Sequence, residues 1–241
     1  MSVISIITSI QWKKLVFPTS WRAWVYVVLT GFFLQFLYQY FFFKSLQTNL
    51  SPGLLMIILG IQPIFTAFLT HEKMHLQQWS ALSITLLGLV LIVYQSLFQG
   101  HISAHGILFS ILCLSGITVG SILQNKFCRT YSLTANLLIQ YAVSLFCLYT
   151  INGLHFLSPD FQFHTAFLIP LLWMSLIISV IAIYIYYFLI SSKKLTRVTM
   201  IFYGVPAAAA LFDYLFFGNT VSPLTIMGML LTFVGLYLTY L

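Results

Sequence analysis

Tyr203–Thr220 reads YGVPAAAALFDYLFFGNT, and Gln62–Lys73 reads QPIFTAFLTHEK. Each is an apolar run with a proline near its start and a short polar connector, GNT or HEK, at its end. Each leads into a second apolar run with a glycine step, LLGLVLIVY from Leu86 or FVGLYLTYL from Phe233. Pro63 and Gly88 are 25 residues apart, and Pro206 and Gly235 are 29 apart. The difference is about one helical turn, and a four-residue gap before HEK absorbs it. Self-similarity of this kind decides the plan of a whole chain.

The surrounding composition says what solvent the repeat meets. Of 241 residues, 61% are hydrophobic and 5% are charged. A soluble domain carries about 25% charged residues. A chain this poor in charge has too few polar groups to cover a water-facing surface, so its solvent is lipid. Eight apolar segments are long enough for a helical crossing, which takes about 20 residues. They run Ala23–Phe43, Leu50–Thr70, Gln77–Phe98, Ala104–Leu123, Leu133–Leu154, Thr165–Ile190, Val198–Phe217 and Pro223–Tyr240. The runs are continuous rather than alternating, which excludes a closed barrel as their reading. Cys113, Cys128 and Cys147 are odd in number, lack CxxC spacing and read as small apolar packing residues.

The net charge of +7 reflects orientation rather than nucleic-acid binding. With the Lys13–Arg22 loop set in the cytoplasm, alternation through eight spans brings Lys73, Lys126, Arg129, Lys193, Lys194 and Arg197 to the same side. Only Lys44 falls opposite, a positive-inside pattern. The C-terminus is then cytoplasmic. Pro63 lies in an inward-running span and Pro206 in an outward-running one, so the two copies are inverted. Inverted repeats are a recurrent plan of secondary transporters, with the site near the membrane midplane. The first twelve residues, MSVISIITSIQW, are apolar but too short to span, and they lack the basic start of a signal peptide. They read as the inner half of a helix.

Two long stretches carry a family resemblance. They are SLQTNLSPGLLMIILGIQPIFTAFLTHEKMHLQQWSALSITLLGLVLIVY and SSKKLTRVTMIFYGVPAAAALFDYLFFGNTVSPLTIMGMLLTFVGLYL. The sequence here resembles the EamA-type drug/metabolite transporter superfamily, over nearly the whole chain. In that family a proline-bearing helix, a Gly-Glu-Arg-like connector and a glycine-spaced helix recur in each repeat. Glu72 stands at the acidic position of the first connector, and Asn219 stands there in the second. The resemblance implies ten helices in two inverted five-helix repeats. Against that plan, the chain supplies eight spans and the half-helix, so the first helix and the start of the second are expected to be absent from it.

The expected fold is therefore an all-α polytopic membrane protein, an inverted-repeat helical bundle of eight full transmembrane helices plus an N-terminal half-helix. It forms one integral membrane domain, with an N-terminally incomplete first repeat over 1–98 and a second repeat over 104–241.

Several polar and backbone-breaking residues inside the spans are candidates for the site. A mid-span proline removes a backbone hydrogen bond and frees a carbonyl one turn earlier. Pro63 and Pro206 therefore mark either a flexing joint on a pathway or a static kink. Ala207–Ala210 read as a small-residue face for close helix approach. Gln35 and Gln39, four apart, share a helical face and offer a polar stripe to a cavity. Gln62, Ser115, Thr118, Tyr184 and Tyr203 complete the candidate cavity lining, with Gln124, Gln140 and Tyr187 as further polar groups; interhelical bonding is the alternative for each. Asp213 is the one acid inside a span, a candidate for proton coupling or cation recognition, or a group paired near the outer boundary. His71 and His75, like His101 and His105, have a helical ligand spacing but sit at span ends without a carboxylate or thiol cluster, so no metal is expected.

The function expected is a permease or exporter of small metabolites, such as amino acids or drugs, in a bacterial inner membrane, working by alternating access. No phosphate loop or catalytic constellation is present in the sequence, so neither an enzyme nor a cofactor is expected. A membrane enzyme would need a catalytic cluster at one face, and Glu72 and Asp160 fall on opposite sides. A truncated, non-transporting remnant or assembly partner is the alternative. The partners expected are membrane lipid and a small-molecule metabolite, without nucleic acid; a homodimer stays open.

Overall fold

The computed structural model describes residues 16–72, 74–98, 103–153, 165–192, 195–218 and 221–240. The half-helix expected at the N-terminus, Asp160, His101 and Asn219 lie outside these residues. In chain order the helices are α1 (Trp21–Thr30), α2 (Tyr38–Gln47), α3 (Pro52–Leu59), α4 (Gln62–Thr70), α5 (Leu76–Val93), α6 (Ala104–Phe127), α7 (Leu133–Asn152), α8 (Thr165–Leu172), α9 (Ile183–Ser192), α10 (Leu195–Met200), α11 (Gly204–Phe217) and α12 (Pro223–Tyr240). Wider π-helical turns, Gly31–Leu37 and Trp173–Ala182, join α1 to α2 and α8 to α9. A short 3-10 turn, Ile201–Tyr203, joins α10 to α11. Among the described residues seven helical stretches are long and apolar enough to cross a membrane, and Pro223–Thr239 is a shorter apolar helix. Among the described residues there is no strand. The protein is an all-helical, polytopic membrane protein.

Serines start the spans. Ser20 accepts from the Ala23 amide, Ser51 from Leu54, Ser103 from Gly106, Ser132 from Ala135 and Ser222 from Thr225, at 3.1–3.3 Å. Each hydroxyl satisfies an amide that the helix leaves without an internal partner. Pro52 and Pro223 follow two of these caps at the first helical position, where a missing N–H costs nothing. The histidine spacing that suggests metal has a plainer reason. His71 ends α4 in a left-handed conformation (φ 52°), and His75 caps α5, its amide donating to Gln78 Oε1 at 3.1 Å.

The irregularities recur in both halves of the chain. Counted back from each half's end, the third-last span carries a π segment, and the second-last is broken just before its proline. The last span is a regular helix carrying Thr-x-x-Gly, TLLG (Thr85–Gly88) or TFVG (Thr232–Gly235).

The contacts divide the chain into two compact units, Met1–Phe36 with Val119–Ser192, and Leu37–Thr118 with Lys193–Leu241. Each unit draws on both halves of the sequence. In the first, α1 and α9 pack on α7. A Cβ on Gly31 would stand 2.7 Å from Gln140 Cα and 3.1 Å from its carbonyl oxygen. Backbone cannot move aside as a side chain can, so Gly31→Ala is expected to cost about 1–3 kcal/mol. A lowered thermal midpoint of the detergent-purified protein checks this.

In the second unit α5 and α12 run antiparallel at close range. Their contact is reciprocal: Gly88 faces Thr232 and Gly228, while Gly235 faces Thr85 and Ala81. The corresponding glycine of each Thr-x-x-Gly thus lies on the threonine of the other, a local two-fold arrangement. Both hydroxyls are turned back onto their own helix, Thr85 to the Ala81 carbonyl at 2.6 Å and Thr232 to the Gly228 carbonyl at 2.9 Å. Leu82, Leu89, Met200, Tyr203 and Ala207 build the core beside this pair.

The four alanines behave differently from the small-residue face expected of them. Ala207 is buried, Ala210 is half-buried, and Ala208 and Ala209 are exposed. A helix turns about 100° per residue, so consecutive alanines cannot all face one neighbour.

Candidate functional site

The two broken spans meet in the second unit. Pro63 is the second residue of α4 and Pro206 the third of α11. The prolines therefore open helical segments rather than interrupt them. The breaks lie just upstream, because proline has no amide to bond the carbonyl one turn back and is tolerated only in a helix's first turn. At the first break the Gly60 amide still bonds the Met56 carbonyl at 2.8 Å, while the Ile64 amide turns to Ile61 at 3.0 Å. This leaves the Gly60 carbonyl without its helical donor. The Tyr203 hydroxyl, at the second break, donates to it. Tyr203 is buried, and the bond joins positions 143 residues apart.

Helix α10 packs along α4. The two run antiparallel: Tyr203 meets Gly60 at one end, and Arg197 lines a cavity with Glu72 at the other. Along this seam several buried polar atoms have no partner: Gln62 Nε2 and Thr66 Oγ1 on α4, and Thr196 Oγ1 and Arg197 Nε on α10. Gln62 and Thr66 are one turn apart and share a face. Thr118 Oγ1, on α6, is another such atom. Most buried threonines behave otherwise. Thr30, Thr85, Thr232 and Thr239 bond the carbonyl four residues back. Thr66, Thr118 and Thr196 hold their hydroxyls away from that easy partner. A buried polar group left unpaired costs about 1–3 kcal/mol, so each such atom asks for a ligand, a water or a different conformation.

The first unit holds a closed relay. Gln35 Nε2 donates to the Tyr187 hydroxyl at 3.0 Å, and that hydroxyl donates to Gln140 Oε1. Gln140 Nε2 donates to Gln124 Oε1 at 2.9 Å. Ser144 Oγ donates to the Gln35 carbonyl at 3.1 Å, and the Tyr141 hydroxyl donates to the Ser179 carbonyl. Tyr141 and Ser144, three apart on α7, thus bond carbonyls within the two π segments. Gln35 is 2% exposed and Tyr187 fully buried. This relay is satisfied internally and serves to hold helices together.

The sequence candidates separate accordingly. Gln62, Pro63, Tyr203 and Pro206 come together at the broken spans. Gln35 joins the relay, while Gln39, on α2 beyond the π segment, is half-buried and has an interaction of its own. Ser115 is half-buried and bonds the Leu112 carbonyl at 2.7 Å. Tyr184 is half-buried and outside the relay. Asp213 is carried by α11, and its side chain lies outside the described residues. Thr66, Thr196 and Arg197 were not legible as site residues. A threonine in an apolar helix usually bonds its own backbone, and only the fold shows which ones do not.

Residues 104–241 match the EamA-like transporter family. A WAT1-related chloroplastic protein of Arabidopsis thaliana is 23% identical over 233 residues, 92% of this chain and 56% of that protein. The chain thus spans about half the length of this curated relative. A crystal structure of a protein shares the fold with a TM-score of 0.75 at 15% identity, over 98% of this chain and 80% of that one.

Proposed function

The chain belongs to the EamA-like transporter family, and on that premise we propose that it is a secondary carrier moving a small metabolite, such as an amino acid or a drug, by alternating access. Its site lies where α4 and α10–α11 meet at their breaks. Discontinuous helices at corresponding positions of two halves point to the binding site of a carrier. The two repeats of the proposal are 1–98 and 104–241, and the reciprocal Thr-x-x-Gly contact supports their inverted relation. The C-terminus is cytoplasmic in this reading, and a solute or proton gradient supplies the work.

One observation carries the assignment. The two breaks are tied by the Tyr203–Gly60 bond, beside buried polar atoms of Gln62 and Thr66 that have no partner. Such atoms are supplied with partners when the seam opens to water or to a solute. Tyr203→Phe frees the Gly60 carbonyl and removes the tie. Efflux of a labelled metabolite panel from sealed vesicles is expected to fall at least about tenfold in Gln62→Leu, a loss of about 1.4 kcal/mol of solute interaction. In Tyr203→Phe the ratio of inward-facing to outward-facing labelling is expected to shift. Unchanged flux in Gln62→Leu would remove the site from this seam.

A further inference from the structure

The α4–α5 connector and the start of α10 enclose a cavity of about 10 Å³, lined by Glu72, Gln78, Thr196, Arg197 and Thr239 among others. A water molecule needs about 10–15 Å³ and two to four polar partners. The space is about the size that one water needs.

The partners already committed elsewhere can be set aside. Gln78 Oε1 accepts from the His75 amide at 3.1 Å. Thr239 Oγ1 is directed at the Gly235 carbonyl, 2.9 Å away, and at Met200 Sδ, 3.4 Å away. Thr196 is 3% exposed, and its Oγ1 has no partner; Arg197 Nε is likewise buried without one. Arg Nε–H only donates, a carboxylate only accepts, and a threonine hydroxyl does both. One water in this cavity would have a donor in Arg197 Nε, an acceptor in the Glu72 carboxylate and either in Thr196 Oγ1. The carboxylate's carrier is held in place, since the Glu72 amide donates to the Ala67 carbonyl at 3.1 Å.

We propose that this cavity is a built hydration site, in which one ordered water links Glu72 to Arg197 and latches the connector after α4 to the start of α10. The latch stands at the end of the α4–α10 seam opposite the Tyr203–Gly60 bond. The two ties close the seam at both ends. A water-bridged pair holds without the desolvation that a direct buried ion pair demands. The role of the latch in opening and closing the seam rests on the carrier reading; the hydration site itself does not.

Thermal unfolding of the purified full chain in detergent tests it without any transported solute. Thr196→Val is expected to lower the midpoint by a few degrees, and Thr196→Ser to leave it unchanged. Glu72→Gln and Arg197→Gln are each expected to lower it, and the double variant to fall no further than the worse single one. A Thr196→Val protein as stable as the parent means a dry cavity and overturns the site. Additive losses in Glu72→Gln and Arg197→Gln mean uncoupled groups and overturn the latch. A stable protein that fails to move solute would count against the carrier reading alone.

Discussion

Gly235→Val is expected to destabilise the protein by about 3 kcal/mol, the upper end for overpacking a tight interface. For a chain of this length that is a fall of roughly 6–12 °C in the thermal midpoint. A Cβ at this position would stand 2.1 Å from Thr85 Oγ1, 2.8 Å from the Thr85 amide nitrogen and 2.9 Å from the Ala81 carbonyl oxygen. Two of these atoms are backbone, and the third is held to the Ala81 carbonyl at 2.6 Å. No rotamer change relieves the clash, so α5 and α12 must separate. Gly88→Val should act alike, because its Cβ would meet Thr232 Oγ1 at 2.5 Å and the Gly228 carbonyl oxygen at 2.7 Å. Gly204→Ala is the control, since a Cβ there would meet Leu236 Cδ1 at 3.7 Å, an ordinary contact. Equal midpoints for Gly235→Val and Gly204→Ala would mean that the two helices do not pack as described.

Tyr187→Phe is expected to have the largest effect in the other unit. The change deletes the acceptor for Gln35 and the donor to Gln140 and leaves two buried amides short of partners. If each bond is worth the average measured between membrane helices, the loss is about 1.2 kcal/mol. If both amides keep their desolvation penalty, it reaches about 4 kcal/mol. A double-mutant cycle separates these cases. Gln140→Leu added to Tyr187→Phe should cost less than the two changes summed, because the orphaned amide is removed. Strict additivity would show that the relay is not a single unit. The same substitution is expected to leave the Tyr203–Gly60 tie in place, since that bond belongs to the second unit.

Much of the scaffold was legible because membrane insertion is a local property. Ser20, Ser51, Ser132 and Ser222 each stand just before an apolar run and cap the helix that it forms. The paired prolines each stand just after a break in their span. The reason is that proline's missing amide is harmless in a first turn, so the chain puts it there and breaks before it. The alanine run overstated a packing face, since only tertiary contact selects which alanine meets a neighbour. The π segments had no sequence signal.

The sequence by itself determined the solvent of this protein, the span pattern and the repeated proline and glycine devices, because transfer into lipid depends on the side chains of one segment at a time. The tertiary structure alone decided which polar groups are satisfied and which stand open. Gln35 finds Tyr187 152 positions away, whereas Thr66 and Thr196 find nothing. Hydrogen bonding is short-ranged and directional, so partners remote in sequence become partners only when packing brings their atoms within about 3 Å.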